Sequence, residues 1–393
     1  MVKRRNSNNN VIVFFYVLSA IYIIFRPFIG QYSFFDEIIV LLLALYSLKD
    51  ITFYKQNLVY YTGIILLFFL IYSLWINVTV KDAVFYDFLL FLKPFVSFYV
   101  AYYLSINLNI ETKKKLKTLF LLFGVYCYSI IPYINELYSN TAAYYPACIV
   151  CSISFLFFSE QNKKDWIIAL IILIPGLFTI RAKFYTEFIF FVFITFFLKS
   201  KIKFNIKYVF LFSLITLISI YVNWEKFSMY FLFDETTTVG RSLFYLHSWD
   251  ILNDFFPFGS GFGTYGTEAA AKYYSPLYSM YHMDTVWGLR RIDYGGTGYD
   301  FLKDTFYPVL AQFGFVGVWL YFYFWNHLWK NAKLLNIQKY KLFIFLFFVM
   351  TIQNIASNSF TSDIGVTFMM MLGLLLSDSK SYIDNVNRNT VVG

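Results

Sequence analysis

The residues of this chain best suited to chemistry are cations in apolar surroundings. Arg26 and Lys93 stand inside apolar runs, Lys93 directly before Pro94, and "FTIRAKF" (178–184) sets Arg181 and Lys183 in a short turn between two such runs. Arg241 opens "GRSLFYLHSWDILND" (240–254), and Arg290 with Arg291 lies later in the same polar segment. A guanidinium is a planar fork of N–H donors that matches two oxygens of a phosphate. These types therefore permit recognition of a polyanion, and stabilisation of charge that develops on one as a bond breaks. A second motif lies among them. "FPFGSGFGTYG" (256–266) contains Gly261-x-Gly263-x-x-Gly266, which spells the dinucleotide fingerprint.

The element that must position these residues is a membrane. Of 393 residues, 59% are hydrophobic, 24% aromatic and only 14% charged, with mean hydropathy +0.59, where soluble domains carry about 25% charged residues. Apolar runs of about 15–22 residues recur along nearly the whole chain, long enough to cross a hydrocarbon core of about 30 Å. No soluble core buries that many. The expectation is an all-α polytopic integral membrane protein with about 12 transmembrane helices. They fall near 11–29, 34–48, 58–76, 84–106, 116–134, 143–158, 166–180, 184–198, 206–223, 306–325, 341–357 and 362–377. The first follows Met-Val-Lys-Arg-Arg, as a secretory signal would, but lacks an A-x-A-like cleavage site and is expected to stay as an anchor. One integrated membrane domain results: helices one to nine over 1–223, a long loop over 224–305, and helices ten to twelve with a short tail over 306–393.

Charge orients the spans. With the N-terminus inside, alternate loops hold Lys49 and Lys55; Lys113, Lys114, Lys115 and Lys117; Lys163 and Lys164; Lys199, Lys201, Lys203 and Lys207; and Lys330, Lys333, Lys339 and Lys341. With both tails, about 21 of the 32 basic residues fall inside, as the positive-inside rule expects. The net charge of +9 is thereby a topology signal and calls for no nucleic acid. Both termini are cytoplasmic and 224–305 is extracytoplasmic. This loop exceeds the usual length of about 12–15 residues, which marks it as functional. Within it, 240–254 has apolar residues at 243, 244, 246, 249, 251 and 252 and reads as an amphipathic helix, with Thr238 as N-cap and Pro257 as stop.

The glycines can then be interpreted. A dinucleotide fingerprint needs a strand before it and a helix after it; here a helix and a proline precede it, and it faces a compartment without a nucleotide pool. The glycines are read as a tight turn where the backbone crosses close to something else, or in a functional version as N–H groups holding a phosphate. Cys127, Cys148 and Cys151 fit no zinc spacing, and His247, His282 and His327 are too scattered for a metal site. No cofactor and no metal are expected. Arg26 and Lys93 can snorkel to the headgroups, whereas Arg181 with Lys183 runs against the topology rule and favours function. Arg181, Lys183, Arg241, Arg290 and Arg291 together would form a polyanion site at the outer face. Most of the 35 tyrosines suit an interface belt; Tyr281 and Trp287, well out in the loop, are read as sugar contacts.

Segment 239–263, "VGRSLFYLHSWDILNDFFPFGSGFG", resembles the "GR…W…P…G.G.G" signature of O-antigen polymerases and ligases (the Wzy/WaaL class), with Arg241, Trp249, Pro257, Gly259, Gly261 and Gly263 filling it. Segment 304–317, "DTFYPVLAQFGFVG", is similar to the family's element leading into the next span, and "FTIRAKF" to its arginine-containing turn, which sets Arg181 on its arginine. The match covers about a third of the chain. Where ligases carry His-Asn, this chain has Lys303-Asp304-Thr305, which tilts the resemblance towards a polymerase.

The resemblance implies a glycosyltransferase that joins undecaprenyl-pyrophosphate-linked repeat units into O-antigen, capsule or exopolysaccharide at the outer face of the bacterial cytoplasmic membrane. Its partners would be the lipid-linked oligosaccharide, membrane lipids, a flippase and a chain-length regulator. Arg181 and Arg241, with Arg290 behind them, would take up charge on the leaving pyrophosphate. Asp304 is the first candidate base, followed by His282 and Asp300; Asp304 also suits the N-cap of span ten. Lys183, Arg290, Arg291, Trp249, Gly261, Gly263, Tyr281 and Trp287 would contact substrate. The alternatives are a ligase acting on a lipid A core, and a flippase or solute transporter. The latter predicts charges deep in several spans.

Overall fold

A computed structural model describes residues 9–29, 34–54, 56–104, 108–137, 143–201, 221, 224, 228, 240–286, 289–290, 308–355 and 357–391. Among them the chain is helical, with no strand. Helices of ten residues or more are α1 (Asn9–Ile29), α2 (Phe35–Ser47), α3 (Asn57–Ile76), α4 (Lys81–Leu104), α5 (Ile110–Ile130), α6 (Tyr144–Phe158), α7 (Lys163–Leu173), α8 (Ala182–Phe196), α9 (Gly240–Asp254), α10 (Pro308–Ala332), α11 (Ile337–Ile355) and α12 (Asp363–Val391). All but α9 lie on apolar runs expected to span; the run at 206–223 lies outside the described residues. Among the described residues, three helices are long and apolar enough to cross a membrane: α3, α4 and Ile110–Leu137, with shorter apolar stretches at Val11–Arg26, Tyr144–Phe158 and Asp363–Ser377.

How these helices dispose of their apolar surface differs. In α3, only 17% of the apolar window is buried although its hydropathy is 2.0, and Leu67, Ile71 and Trp75 project outward. An apolar helix face of that extent is stable only in an apolar solvent or against a partner. In α4 the buried share is 61%, because α4 lies along α12. Gly373 makes that approach close: a Cβ there would stand 2.5 Å from the Phe98 carbonyl oxygen, as small residues do where membrane helices pack. The main core runs through α1, α4, α6, α11 and α12. Local signals set several helix ends. Asn162 and Asp165 form a reciprocal capping box on α7. The expected span 166–180 instead breaks into a 3-10 turn at Ile174–Thr179, because Pro175 removes an N–H and Gly176 follows it.

The segment between α8 and α10 builds a core of its own. Phe244, Ile251, Tyr265, Ala270, Leu277, Tyr278 and Met283 pack together with Ala311 of α10. The expected amphipathic helix is α9, and its buried face differs from the sequence pattern. Phe244, Ser248, Ile251 and Leu252 turn inward, while Leu246 and Trp249 are exposed. The cause is geometry: 244, 248 and 251 share a stripe at helical spacing, and 246 and 249 lie on the opposite side of the helix. Thr238 lies outside the described residues.

Candidate functional site

The glycine segment is a main-chain crossing. Gly259, Gly261, Gly263 and Gly266 all have positive φ. The first three also lie against other backbone or side chains. A Cβ on Gly259 would meet the Ala311 carbonyl oxygen at 2.5 Å, on Gly261 the Ser73 Oγ at 2.6 Å, and on Gly263 the Ala83 carbonyl at 2.7 Å. Opposite, Gly314 kinks α10 at φ 59, with its Cβ position 2.3 Å from the Pro257 carbonyl oxygen. Six N–H groups of the turn are spent within the chain. Gly259 donates to the Phe255 carbonyl, Ser260 to that of Ala311 and Gly261 to that of Gln312. Phe262 donates to Ser73 Oγ at 2.8 Å, Gly263 to Asp87 Oδ2 at 2.6 Å and Gly266 to the Tyr278 hydroxyl at 3.1 Å. None of these six is left for a phosphate. Gly261 and Gly263 fasten the segment to α3, α4 and α10.

Asp87 is the residue sequence reading passed over. It is fully buried in α4, and the same Oδ2 that accepts from Gly263 accepts from Gln312 Nε2 of α10 at 2.9 Å. One carboxylate thus ties together a helix of the bundle, the glycine turn and the helix that follows the segment. The signal was present in the sequence: a single acid inside an apolar run is itself anomalous.

Arg181 and Lys183 stand at the opposite sort of place. Arg181 is the N-cap residue of α8, and Ile180 before it takes a left-handed backbone at φ 52. That conformation costs a β-branched residue about 1–3 kcal/mol, and such strain clusters at functional sites. Both basic residues are half-buried. Lys183 Nζ donates to Ser357 Oγ at 2.9 Å, and Ser357 stands beside Ser359 at 2.8 Å. One turn further into α8 lies Glu187, buried and also passed over in the sequence. Its Oε1 accepts from Gln353 Nε2 at 2.7 Å, and Gln353 Oε1 accepts from the Tyr145 hydroxyl at 2.9 Å. Glu187 Oε2 is buried without a hydrogen-bond partner. Two cations at a strained helix start, above a buried carboxylate, make a polar cluster that links α6, α8 and α11.

Lys93, Arg26 and Arg290 are accounted for by ion pairs and loop contacts. Lys93 Nζ reaches Asp36 at 2.6 Å and Glu37 at 2.7 Å, and Arg26 pairs with Asp363 at 3.3 Å. These pairs join α1, α2, α4 and α12, so neither residue needs to snorkel. Arg290 is exposed, and its Nε and Nη2 both donate to the Thr285 carbonyl, at 3.0 and 2.8 Å. His282 is exposed and sits at a left-handed position, φ 56, opening a 3-10 turn. Trp249 is 59% exposed. The Tyr281 hydroxyl donates to Asp254 at 2.5 Å. Burial, reinforced by that carboxylate, raises its pKa above the usual tyrosine range, so it remains a donor. Trp287, Arg291, Asp300 and Asp304 lie outside the described residues, and Arg241 is described in its backbone only, in the first turn of α9. Arg181 and Lys183 come together on α8, which packs on α7 and α11; Trp249 and Tyr281 belong to the segment that rests on α10 and α4. No group of three metal-ligating side chains occurs among the described residues. The three cysteines are free thiols buried between α5 and α6.

No family model matches this chain, and neither a curated protein nor a solved structure resembles it at a significant level.

Proposed function

We propose that the chain is a polytopic membrane glycosyltransferase that polymerises lipid-linked oligosaccharide repeat units at the outer face of the bacterial cytoplasmic membrane. The observation that carries this reading is the pair Arg181 and Lys183 at the strained Ile180 junction, above buried Glu187. It falls on one of the segments that resemble O-antigen polymerases. The crossing of Gly259, Gly261 and Gly263 supports it in a second way. The segment that resembles the family signature is fixed to the bundle through Asp87, which gives Arg241 and the residues after it a rigid mount.

In the reaction, a hydroxyl of one lipid-linked glycan attacks the anomeric carbon of another. The bond from that carbon to the pyrophosphate oxygen breaks, and undecaprenyl pyrophosphate leaves with the electron pair. Arg181 and Arg241 stabilise the charge that grows on this oxygen. A fixed cation of this kind is worth about 10²–10³ in rate.

The test is an assay in membranes with purified lipid-linked repeat units, comparing wild type with Arg181→Ala and Arg241→Ala at matched expression. A ladder of longer lipid-linked glycans, lost by about 100-fold or more in both variants, is expected. Transfer to a lipid A core without a ladder would make the chain a ligase. Movement of the unit across the bilayer at constant length would make it a transporter and remove the enzyme reading.

A further inference from the structure

On the exposed side of the polar segment, two side chains are arranged in a way that the fold does not require. His247 Nδ1 lies 2.9 Å from Asp250 Oδ2, three residues on along α9. The Tyr281 ring packs on the imidazole at 5.6 Å between centroids, inclined at 37°. Tyr281 is itself held by its hydrogen bond to Asp254. The imidazole is thus oriented from two sides. An ionised carboxylate can only accept, so Nδ1 carries the hydrogen, and in the neutral imidazole the lone pair is then on Nε2. Nε2 has no partner among the described residues. As a surface pair between residues i and i+3, this contact contributes little to stability. What it provides is a fixed tautomer and an aimed lone pair, the arrangement of a base with its orienting carboxylate.

The surroundings suit a sugar. The Tyr281 ring beside the imidazole offers an aromatic face, and aromatic faces with a few polar groups are how sugars are held; Trp249, two residues on and 59% exposed, faces away from His247 on the helix. Arg241 is on the same helix, about 9 Å away along its axis. His282, the histidine favoured by sequence, has no orienting carboxylate among the described residues.

We propose that His247, oriented by Asp250, takes the proton from the acceptor hydroxyl, an inference that rests on the glycan-transfer reading above. As the acceptor oxygen bonds to the anomeric carbon, its proton passes to Nε2. The carbon–oxygen bond to pyrophosphate breaks, and its electron pair leaves with undecaprenyl pyrophosphate. The imidazolium, paired with Asp250, then returns the proton to solvent.

The experiment uses the full chain in membranes with purified lipid-linked repeat units. His247→Ala is expected to lower the rate of chain extension by about 100-fold, and added imidazole to restore part of it. Asp250→Asn is expected to lower it by about tenfold or more, because the tautomer is no longer fixed. In wild type, bound repeat unit should slow carbethoxylation of His247, read by mass spectrometry. Activity of His247→Ala within about threefold of wild type would overturn the assignment. So would a folded His247→Ala that imidazole does not rescue, or carbethoxylation of wild type that substrate does not slow. If wild type itself makes no longer glycan, the polymerase reading falls, and this assignment with it.

Discussion

Two buried carboxylates, Asp87 and Glu187, sit in apolar helices and look alike in sequence. Asp87 is surrounded by neutral donors, a main-chain N–H and a side-chain amide, that come from two distant parts of the chain. Glu187 shares one neutral donor, Gln353, and has Lys183 one turn away along α8. Each leaves one oxygen without a hydrogen bond. The difference is in what the carboxylate organises. Asp87 fixes backbone: the glycine turn can lie against α3, α4 and α10 only because an acceptor waits for its N–H. Glu187 stands among charges: it lies one turn along α8 from Lys183, below the pair of cations. A buried acid with neutral partners from remote segments reads as a clamp, and one beside cations at a strained junction reads as part of a site.

Substitutions can break this contrast. The largest effect is expected on the clamp side, at Gly314→Ala, where a Cβ would stand 2.3 Å from the Pro257 carbonyl at φ 59. A loss of about 4 kcal/mol or more is predicted, visible as loss of monodisperse protein on gel filtration. Asp87→Ala strands two buried donors and should cost about 3 kcal/mol, while Asp87→Asn, which keeps an acceptor oxygen, should cost about 1 kcal/mol; thermal melts in detergent would rank them. Equal melts for the two would mean that Asp87 clamps nothing. Glu187→Gln keeps the acceptor for Gln353 and removes only the ionisable group. Its stability should change by less than about 1 kcal/mol while polymer formation falls about tenfold. A larger fall in stability than in activity would make Glu187 a clamp like Asp87. The smallest effect is expected at Gly63→Ala in α3, where a Cβ meets nothing within 4 Å. That change should be neutral or stabilising by up to about 1 kcal/mol.

Much of the helical frame was legible in the sequence because apolar runs are long and local. The run at 58–76 became Asn57–Ile76, and 11–29 became Asn9–Ile29. Where a proline and a glycine intervened, as at Pro175-Gly176, run length overstated the α-helix. The glycines were legible as a close crossing, but the crossed partners were not, since Ser73, Ala83 and Ala311 are far away in the chain. The cations are legible because Arg26 and Lys93 sit inside apolar runs, where charge is costly, and Arg181 with Lys183 opposes the topology rule. Lys93 and Arg26 turned out to be paired with Asp36, Glu37 and Asp363, which only packing reveals. Asp87 and Glu187 carry the same kind of signal, since lone acids in apolar runs are equally anomalous, but the partners that explain them are remote in the chain. His247 was weighed only as a metal ligand; its carboxylate three residues on was the available signal.

The most direct measurement is the thermal stability of purified protein with undecaprenyl pyrophosphate, against undecaprenyl alcohol of the same chain length, in wild type and Arg181→Ala. A ligand that binds only the folded state raises the melting temperature. The pyrophosphate should raise that of wild type by about 2–4 °C or more at saturation. The alcohol should not, and Arg181→Ala should lose most of the shift while melting near wild type without ligand. An equal shift from the alcohol, or an undiminished shift in Arg181→Ala, would contradict a cationic pyrophosphate site at the start of α8.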